Sequence, residues 1–164
     1  MSRVLPFLKI VISLSLISSF GIGADFELNK ILADAKKVNK QTMLFLHKDN
    51  CNFCDNMVFN LEDKNVSSTI EKNFILVDIN RDDDETISFQ DYEGTNREFL
   101  KKLGIDLYPT VLFIDNNNSL VYDVVGYRNK KLFINILNYV GSKSYINKTF
   151  EEFEDELLTD DDDW

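Results

Sequence analysis

Positive charge, cysteine, proline and histidine are all scarce in this sequence of 164 residues. Its 18 basic residues stand against 28 acidic ones, and the formal net charge is −10. Because so acidic a surface repels phosphate groups and anionic lipids, the composition argues against nucleic acid as a partner and against binding at a membrane surface. Hydrophobic residues make up 44% of the chain and aromatic residues 12%, which is enough for a core and excludes general disorder. The length fits one compact domain.

Residues 1–24 have the pattern of an export signal. Arg3 and Lys9 give a basic start, and an apolar, serine-containing stretch follows and ends in small residues suited to cleavage. The apolar part, 10–24, has 15 residues, fewer than the ~20 that cross a bilayer, so an uncleaved membrane anchor is the less favoured alternative. Removing residues 1–24 leaves 16 basic against 28 acidic residues, a net charge of −12. We therefore expect a periplasmic or secreted mature protein.

Hydrophobic periodicity predicts an α/β domain over residues 25–142, with Asp25 as a possible N-cap of its first helix. Apolar runs at 42–46 and 74–79 are typical of strands buried on both faces, and a helix between them predicts a parallel βαβ unit. Two later runs around an Asp-Asn turn predict an antiparallel hairpin. The predicted helices are 26–39, 51–61, 67–72 (helix or turn), 96–103 and 131–140, and the hairpin strands are 111–114 and 120–125.

Two segments depart from this pattern. Residues 81–95 are predicted to be an inserted loop or small hairpin that turns at Glu93-Gly94, with the acidic run 82–85 as solvated loop. Residues 143–164 are predicted to be an acidic C-terminal extension with a solvated end at 160–163. Its apolar residues could line one helix face that docks on the domain or on a partner; they are Tyr145, Ile146, Phe150, Phe153, Leu157 and Leu158.

The two cysteines form a Cys51-Asn52-Phe53-Cys54 motif directly after a predicted strand and at the start of a predicted helix. The helix N-terminus offers free N–H groups and a positive dipole end to Cys51, which lowers a thiol pKa from ~8.5 towards the ~3.5–7.5 range. Cys54 lies one turn later on the same face, where it can resolve a mixed disulfide. This spacing favours redox chemistry.

Two other uses of the cysteines stay open. A structural bridge over so short a loop would contribute only about 2 kcal/mol in the chain-entropy model, so it is a poor stabiliser. A metal site would draw on Cys51, Cys54 and His47, three ligands where structural zinc usually takes four. We expect no metal and no cofactor other than a redox-active Cys51–Cys54 disulfide.

Two further residues are candidates for the same site. Pro109, in Tyr108-Pro109-Thr110, directly precedes an apolar run; a cis bond there would offer a short edge to an extended substrate peptide, although a plain strand start is the alternative. His47 lies four residues before Cys51. As a cation it would stabilise the thiolate, and the alternative is a surface histidine at a strand end.

Over residues 26–141 the sequence resembles the thioredoxin superfamily. Phe45-Leu46, the Cys51/Cys54 motif, Tyr108-Pro109-Thr110 and Val125-Gly126-Tyr127 have the order and spacing of that superfamily, and the insertion resembles exported thioredoxin-related proteins of the SoxW type. The resemblance implies a central mixed sheet with a parallel βαβ half and an antiparallel hairpin half, with helices on both faces. It also implies a nucleophilic Cys51, a resolving Cys54, a cis Pro109 facing them, and Gly126 near the substrate groove beside Tyr108 and Thr110.

The motif also departs from thioredoxins. Asn50 precedes the first cysteine, and Asn52-Phe53 lies between the two cysteines. Thioredoxins have a buried carboxylate six residues before the first cysteine, and this chain has Phe45 there. Our leading hypothesis is a periplasmic reductase of protein disulfides that receives electrons from a membrane thiol carrier. The alternatives are an oxidase or isomerase of secreted proteins, and a non-enzymatic metal-carrying or binding module on a thioredoxin scaffold.

Overall fold

The computed structural model describes residues 26–161, in which helices alternate with strands around two sheets. The predicted export segment, Asp25 and residues 162–164 lie outside the described part of the chain. The strands are β1 (Phe26–Glu27), β2 (Gln41–His47), β3 (Phe74–Asn80), β4 (Thr86–Phe89), β5 (Tyr92–Thr95), β6 (Thr110–Ile114) and β7 (Leu120–Val125). The helices are α1 (Leu28–Lys37), α2 (Asn52–Glu62), α3 (Lys64–Asn73), α4 (Asn96–Lys102), α5 (Lys130–Gly141), a 3₁₀ turn (Ser144–Ile146) and α6 (Phe150–Asp161).

The main sheet has four strands in the order β3-β2-β6-β7. β2 and β3 are parallel, whereas β6 pairs antiparallel with both β2 and β7. The predicted βαβ unit, hairpin and mixed sheet are therefore confirmed. The prediction of two fully buried strands holds for β2 but is wrong for β3, where Leu76 is 40% exposed. The reason is that β3 lies at the edge of the sheet.

Helices cover both faces of the main sheet because successive residues of β2 point to opposite sides. Met43 and Phe45 join a core with α2, α3 and α5, in which Phe133 is fully buried. Leu44 and Leu46 join a second core with α1 and α4. The uninterrupted apolar run of β2 thus serves two cores at once, as expected of a central strand in a layered α/β fold.

A small second sheet, β1-β4-β5, corrects three details of the sequence-based predictions. The first helix begins at Leu28, with Glu27 rather than Asp25 as its N-cap, because residues 26–27 pair with β4. The predicted hairpin within 81–95 is present, but its turn is at Gln90 and not at Glu93-Gly94. Gly94 lies inside β5 opposite Ile87. This sheet covers one end of the α1 and α4 core.

The C-terminal segment packs on α5 mainly through aromatic rings. Tyr139 of α5 has ring contacts with Tyr145, Phe150 and Phe153, and its hydroxyl donates to the carbonyl of Lys148 at 2.7 Å. The prediction of one apolar helix face is only partly right: residues 145–146 lie in the 3₁₀ turn, and residues 157–158 at the end of α6 are exposed. Residues 160–161, predicted as solvated tail, belong to α6. Between residues 26 and 161, no helix is both long enough and apolar enough to cross a membrane.

Candidate active site

The two cysteines form a disulfide at the N-terminus of α2. After β2 the chain reverses through polar residues, and Asn50 takes a left-handed conformation (φ 53°), which asparagine tolerates. Cys51 is the N-cap residue of α2, and its Sγ accepts the backbone N–H of Cys54 at 3.2 Å. Both residues are buried, Cys54 to 1% exposure and Cys51 to 7%. The more exposed cysteine residue is therefore also the one whose sulfur receives a helix N–H group.

The loop before β6 lies at the same end of the main sheet. The register pairs Leu46 of β2 with Thr110 of β6, so Pro109 comes where β2 leads into the loop to Cys51. The Tyr108–Pro109 peptide bond is cis. The Pro109 carbonyl accepts the N–H of Gly126 at 2.7 Å, which fixes the loop after β7 beside it. Thr110 is buried, and its hydroxyl donates to the Leu107 carbonyl at 2.7 Å.

Tyr108 connects this loop to its neighbours. The Arg81 guanidinium lies 5.6 Å from the centroid of the Tyr108 ring, and the Lys48 ammonium lies 6.0 Å from it. Both distances are within cation–π range. Its hydroxyl donates to the Ile105 carbonyl at 3.1 Å. Lys48 belongs to the loop before Cys51, so the ring joins the proline loop to the cysteine loop. The structure thus gathers the predicted residues 51, 54, 108, 109, 110 and 126 at one end of the sheet.

His47 forms a pair with a carboxylate of the adjacent strand. Its Nε2 lies 2.7 Å from Oδ1 of Asp78, and its ring stacks on Phe45 with 4.9 Å between centroids. Burial disfavours the imidazolium, but the Asp78 hydrogen bond and the charges of Asp78, Asp83 and Asp49 outweigh it, so the pKa of His47 is raised. His47 does lie at a strand end, but only 19% of its side chain is exposed.

Asp82 is the residue of this region that sequence reasoning missed, because the run 82–85 was predicted to be solvated loop. Only 14% of its side chain is exposed. Its carboxylate accepts two hydrogen bonds from Arg81, at 2.9 and 2.8 Å, one from Arg97 and one from the backbone N–H of Asp49 at 3.2 Å. The Arg81 hydrogen bonds lead the causes that lower the pKa of Asp82. The only hint in the sequence that Asp82 is paired was the presence of arginine at positions 81 and 97.

Exposed apolar side chains lie in the cysteine motif and in the proline loop. Phe53, inside the motif, is 63% exposed, and Leu107 in the proline loop is 66% exposed. Asn60 of α2 donates to the Arg128 carbonyl at 2.9 Å and so holds the loop that contains Gly126 against α2.

Within residues 26–161, no group of three or more His, Cys, Asp or Glu side chains is arranged to bind a metal ion.

Comparisons with known proteins agree with this architecture. The sequence matches the family of thioredoxin-like domains over residues 28–141. No match was found among curated protein sequences. Among solved structures, the fold is similar to a thioredoxin-fold protein from Helicobacter pylori, with a TM-score of 0.62 and 18% identity, covering 74% of this chain and 82% of that one. A thioredoxin from Thermus thermophilus is similar with a TM-score of 0.56 and 22% identity, covering 70% and 84% of the two chains. DsbH oxidoreductase gives a TM-score of 0.52 and 15% identity, covering 77% and 92%.

Proposed function

The chain belongs to the family of thioredoxin-like domains and is a thiol–disulfide oxidoreductase, and we propose that it reduces disulfides of proteins in the periplasm. The observation that carries the proposal is the position of Cys51 as N-cap of α2, with the N–H of Cys54 directed at its sulfur. In the reduced protein the same N–H group and the helix dipole would stabilise a thiolate, which is the species that attacks disulfides.

The proposed reaction transfers two electrons from the dithiol to the substrate. The Cys51 thiolate attacks one sulfur of the substrate disulfide; an S–S bond forms between Cys51 and the substrate, and the other substrate sulfur leaves as a thiolate that takes up a proton. The Cys54 thiol then loses its proton and attacks the Cys51 sulfur. This closes the Cys51–Cys54 disulfide and releases the second substrate thiol.

Substrate contact is assigned to the segment that follows Tyr108. Pro109 directly precedes β6, which Thr110 begins beside the loop to Cys51, and the Gly126 N–H donates to the Pro109 carbonyl. An extended peptide that carries a disulfide could pair with this short stretch of backbone. Phe53 in the cysteine motif and Leu107 in the proline loop are exposed and could offer it apolar contacts.

The return to the dithiol needs two electrons and two protons, which a second dithiol supplies as it is oxidised to a disulfide. We assign that role to a membrane thiol carrier, because the sequence of residues 1–24 predicts export to a compartment where thiols tend to be oxidised. The likeness to exported SoxW-type proteins points the same way and stays a prediction. Similarity to DsbH oxidoreductase is compatible with this proposal.

The test is a trapping experiment. In Cys54→Ala the resolving sulfur is absent, so the mixed disulfide between Cys51 and a substrate should accumulate and be released by added dithiol. Cys51→Ala is the matched control and should trap nothing by this route. If Cys54→Ala forms no covalent complexes in exporting cells, and the native protein leaves insulin disulfides intact with dithiol present, the proposed function is wrong.

A second direction of catalysis is favoured by one feature. Phe45, fully buried, occupies the place where thioredoxins carry a carboxylate that helps to deprotonate the resolving thiol. The helix N-terminus would stabilise the Cys51 thiolate, and no carboxylate would assist the Cys54 thiol. Both effects favour the reduced protein over the disulfide form, so the disulfide would be a stronger oxidant. An oxidase therefore predicts that the reduced protein is harder to unfold than the oxidised one. The reductase predicts the reverse order.

A further inference from the structure

We propose that Asp82 is a positioning residue of the redox site, which holds the loop before Cys51 and the Tyr108–Pro109 loop in the arrangement that a protein disulfide requires. The inference rests on the proposed function, since it concerns how the same cysteine pair receives its substrate. Asp82 belongs to the segment inserted after β3 and has no direct part in the sulfur chemistry.

The first step is the contact between Asp82 and the cysteine loop. Oδ2 of Asp82 accepts the backbone N–H of Asp49, two residues before Cys51, at 3.2 Å. The neighbouring Asn80 donates to the Asp49 side chain at 2.9 Å, and the N–H of Arg81 donates to the His47 carbonyl at 2.8 Å. These bonds continue the β2–β3 pairing past the strand ends. They fix the path of the loop that connects β2 to Cys51 at the start of α2.

The second step runs through Arg81 to the proline loop. Both oxygens of Asp82 accept hydrogen bonds from the Arg81 guanidinium, in the forked geometry that holds an arginine in one orientation. That guanidinium lies over the ring of Tyr108, the residue before Pro109. One carboxylate thus contacts the cysteine loop directly and the proline loop through Arg81.

A solvated role for Asp82 does not fit these contacts. Its side chain is 14% exposed, whereas Arg97, its second side-chain partner, is 64% exposed and approaches from the solvent side. Asp84, two residues along the same acidic run, is exposed. The run thus contains one anchored carboxylate and at least one exposed neighbour of the same charge, which supplies a matched control.

The experiment compares two disulfide substrates in the full mature protein. Insulin needs the peptide-binding edge, whereas oxidised glutathione is a small disulfide that depends mainly on the thiolate. We expect Asp82→Ala to lower kcat/KM for insulin about tenfold, mostly through KM, because small displacements of positioning groups have effects of this size. The rate with oxidised glutathione and the pH at which Cys51 ionises, followed by thiolate ultraviolet absorbance, should stay at native values. Asp84→Ala should match the native protein in every assay.

Two further variants keep the inference testable if Asp82→Ala folds poorly. Asp82→Asn keeps one acceptor oxygen and should lose less activity than the alanine variant, and Arg81→Ala should reproduce the selective loss with insulin. The Asp82→Ala, Arg81→Ala double variant should lose no more than Asp82→Ala alone, because Arg81 acts on the proline loop through Asp82. Equal losses with both substrates, or none with insulin, would overturn the positioning role. A native protein that reduces neither substrate would instead refute the proposed function itself.

Discussion

The His47–Asp78 pair allows a sharp test of the electrostatics beside the site. His47 is the only histidine in the chain, so the titration of its imidazole can be followed by NMR without assignment ambiguity. In Asp78→Asn the carboxylate charge that helps to raise the His47 pKa is removed and the amide oxygen that remains can accept only a weaker, uncharged hydrogen bond, while burial continues to lower the pKa. Asp83 and Asp49 keep their smaller charge effects. The pKa of His47 should therefore fall relative to the native protein.

The same substitution should change stability only over part of the pH range. A histidine whose pKa is higher in the folded state stabilises the fold fully below its unfolded pKa, and the contribution disappears as the pH rises through the folded pKa. Since Asp78 is 60% exposed, solvent screens the pair, and we expect Asp78→Asn to cost about 0.5 kcal/mol and not more than about 1. That cost should be present at about pH 5.5 and absent at about pH 9.

Urea unfolding at the two pH values measures this difference, together with the NMR titration. Asp123→Asn is the control, because it removes an equal charge from an exposed position on β7, two strands from β2. It should leave the His47 titration unchanged. An unaltered His47 pKa in Asp78→Asn, or a loss of stability that is the same at both pH values, would refute the reasoning.

Two other predictions concern the fold. Phe133→Ala should lower the free energy of unfolding by about 3–5 kcal/mol, because Phe133 is fully buried beneath the main sheet, whereas Leu158→Ala at a 60% exposed position should stay within about 0.5 kcal/mol in the same denaturant titration. Gly126→Ala should cost about 1 kcal/mol through backbone strain at φ +87° and not through a clash, because the added Cβ meets only the Arg128 side chain, at 3.7 Å. A loss above about 3 kcal/mol would show that the Gly126 loop is held by more than its backbone conformation.

The predictable parts of this fold are those with strong local patterns. The run around Leu44 is typical of a buried strand, and the Cys51/Cys54 motif that follows was correctly predicted at a strand–helix junction. The pairing of Phe26 with Ile87 could not be predicted, because two residues carry no periodicity and their partner lies far along the chain. The exposure of β3 at Leu76 depends on its place in the sheet and not on its own composition.

The candidate site divides in the same way. Residues that we propose for the chemistry of the site because of their own type, such as Cys51 and Pro109, can be recognised in the sequence from that type and their spacing. Asp82 accepts four hydrogen bonds from three residues in separate parts of the sequence, and this arrangement exists only once the chain is folded. Nothing in the sequence separates Asp82 from the other acidic residues of its run, so only the structure shows that its carboxylate is buried and hydrogen-bonded.

The aromatic packing at the C-terminus has a practical consequence for anyone who shortens this protein. The family match ends at residue 141, so a fragment trimmed to that limit would keep Tyr139 and Tyr122 but lose the rings of Phe150 and Phe153 that lie against them. Two tyrosines would then face water on a fragment that has also lost nine of the 28 acidic residues but only two of the 18 basic ones, and with them most of its net negative charge. Such a fragment would offer neighbouring molecules an adhesive patch that the full-length chain keeps covered.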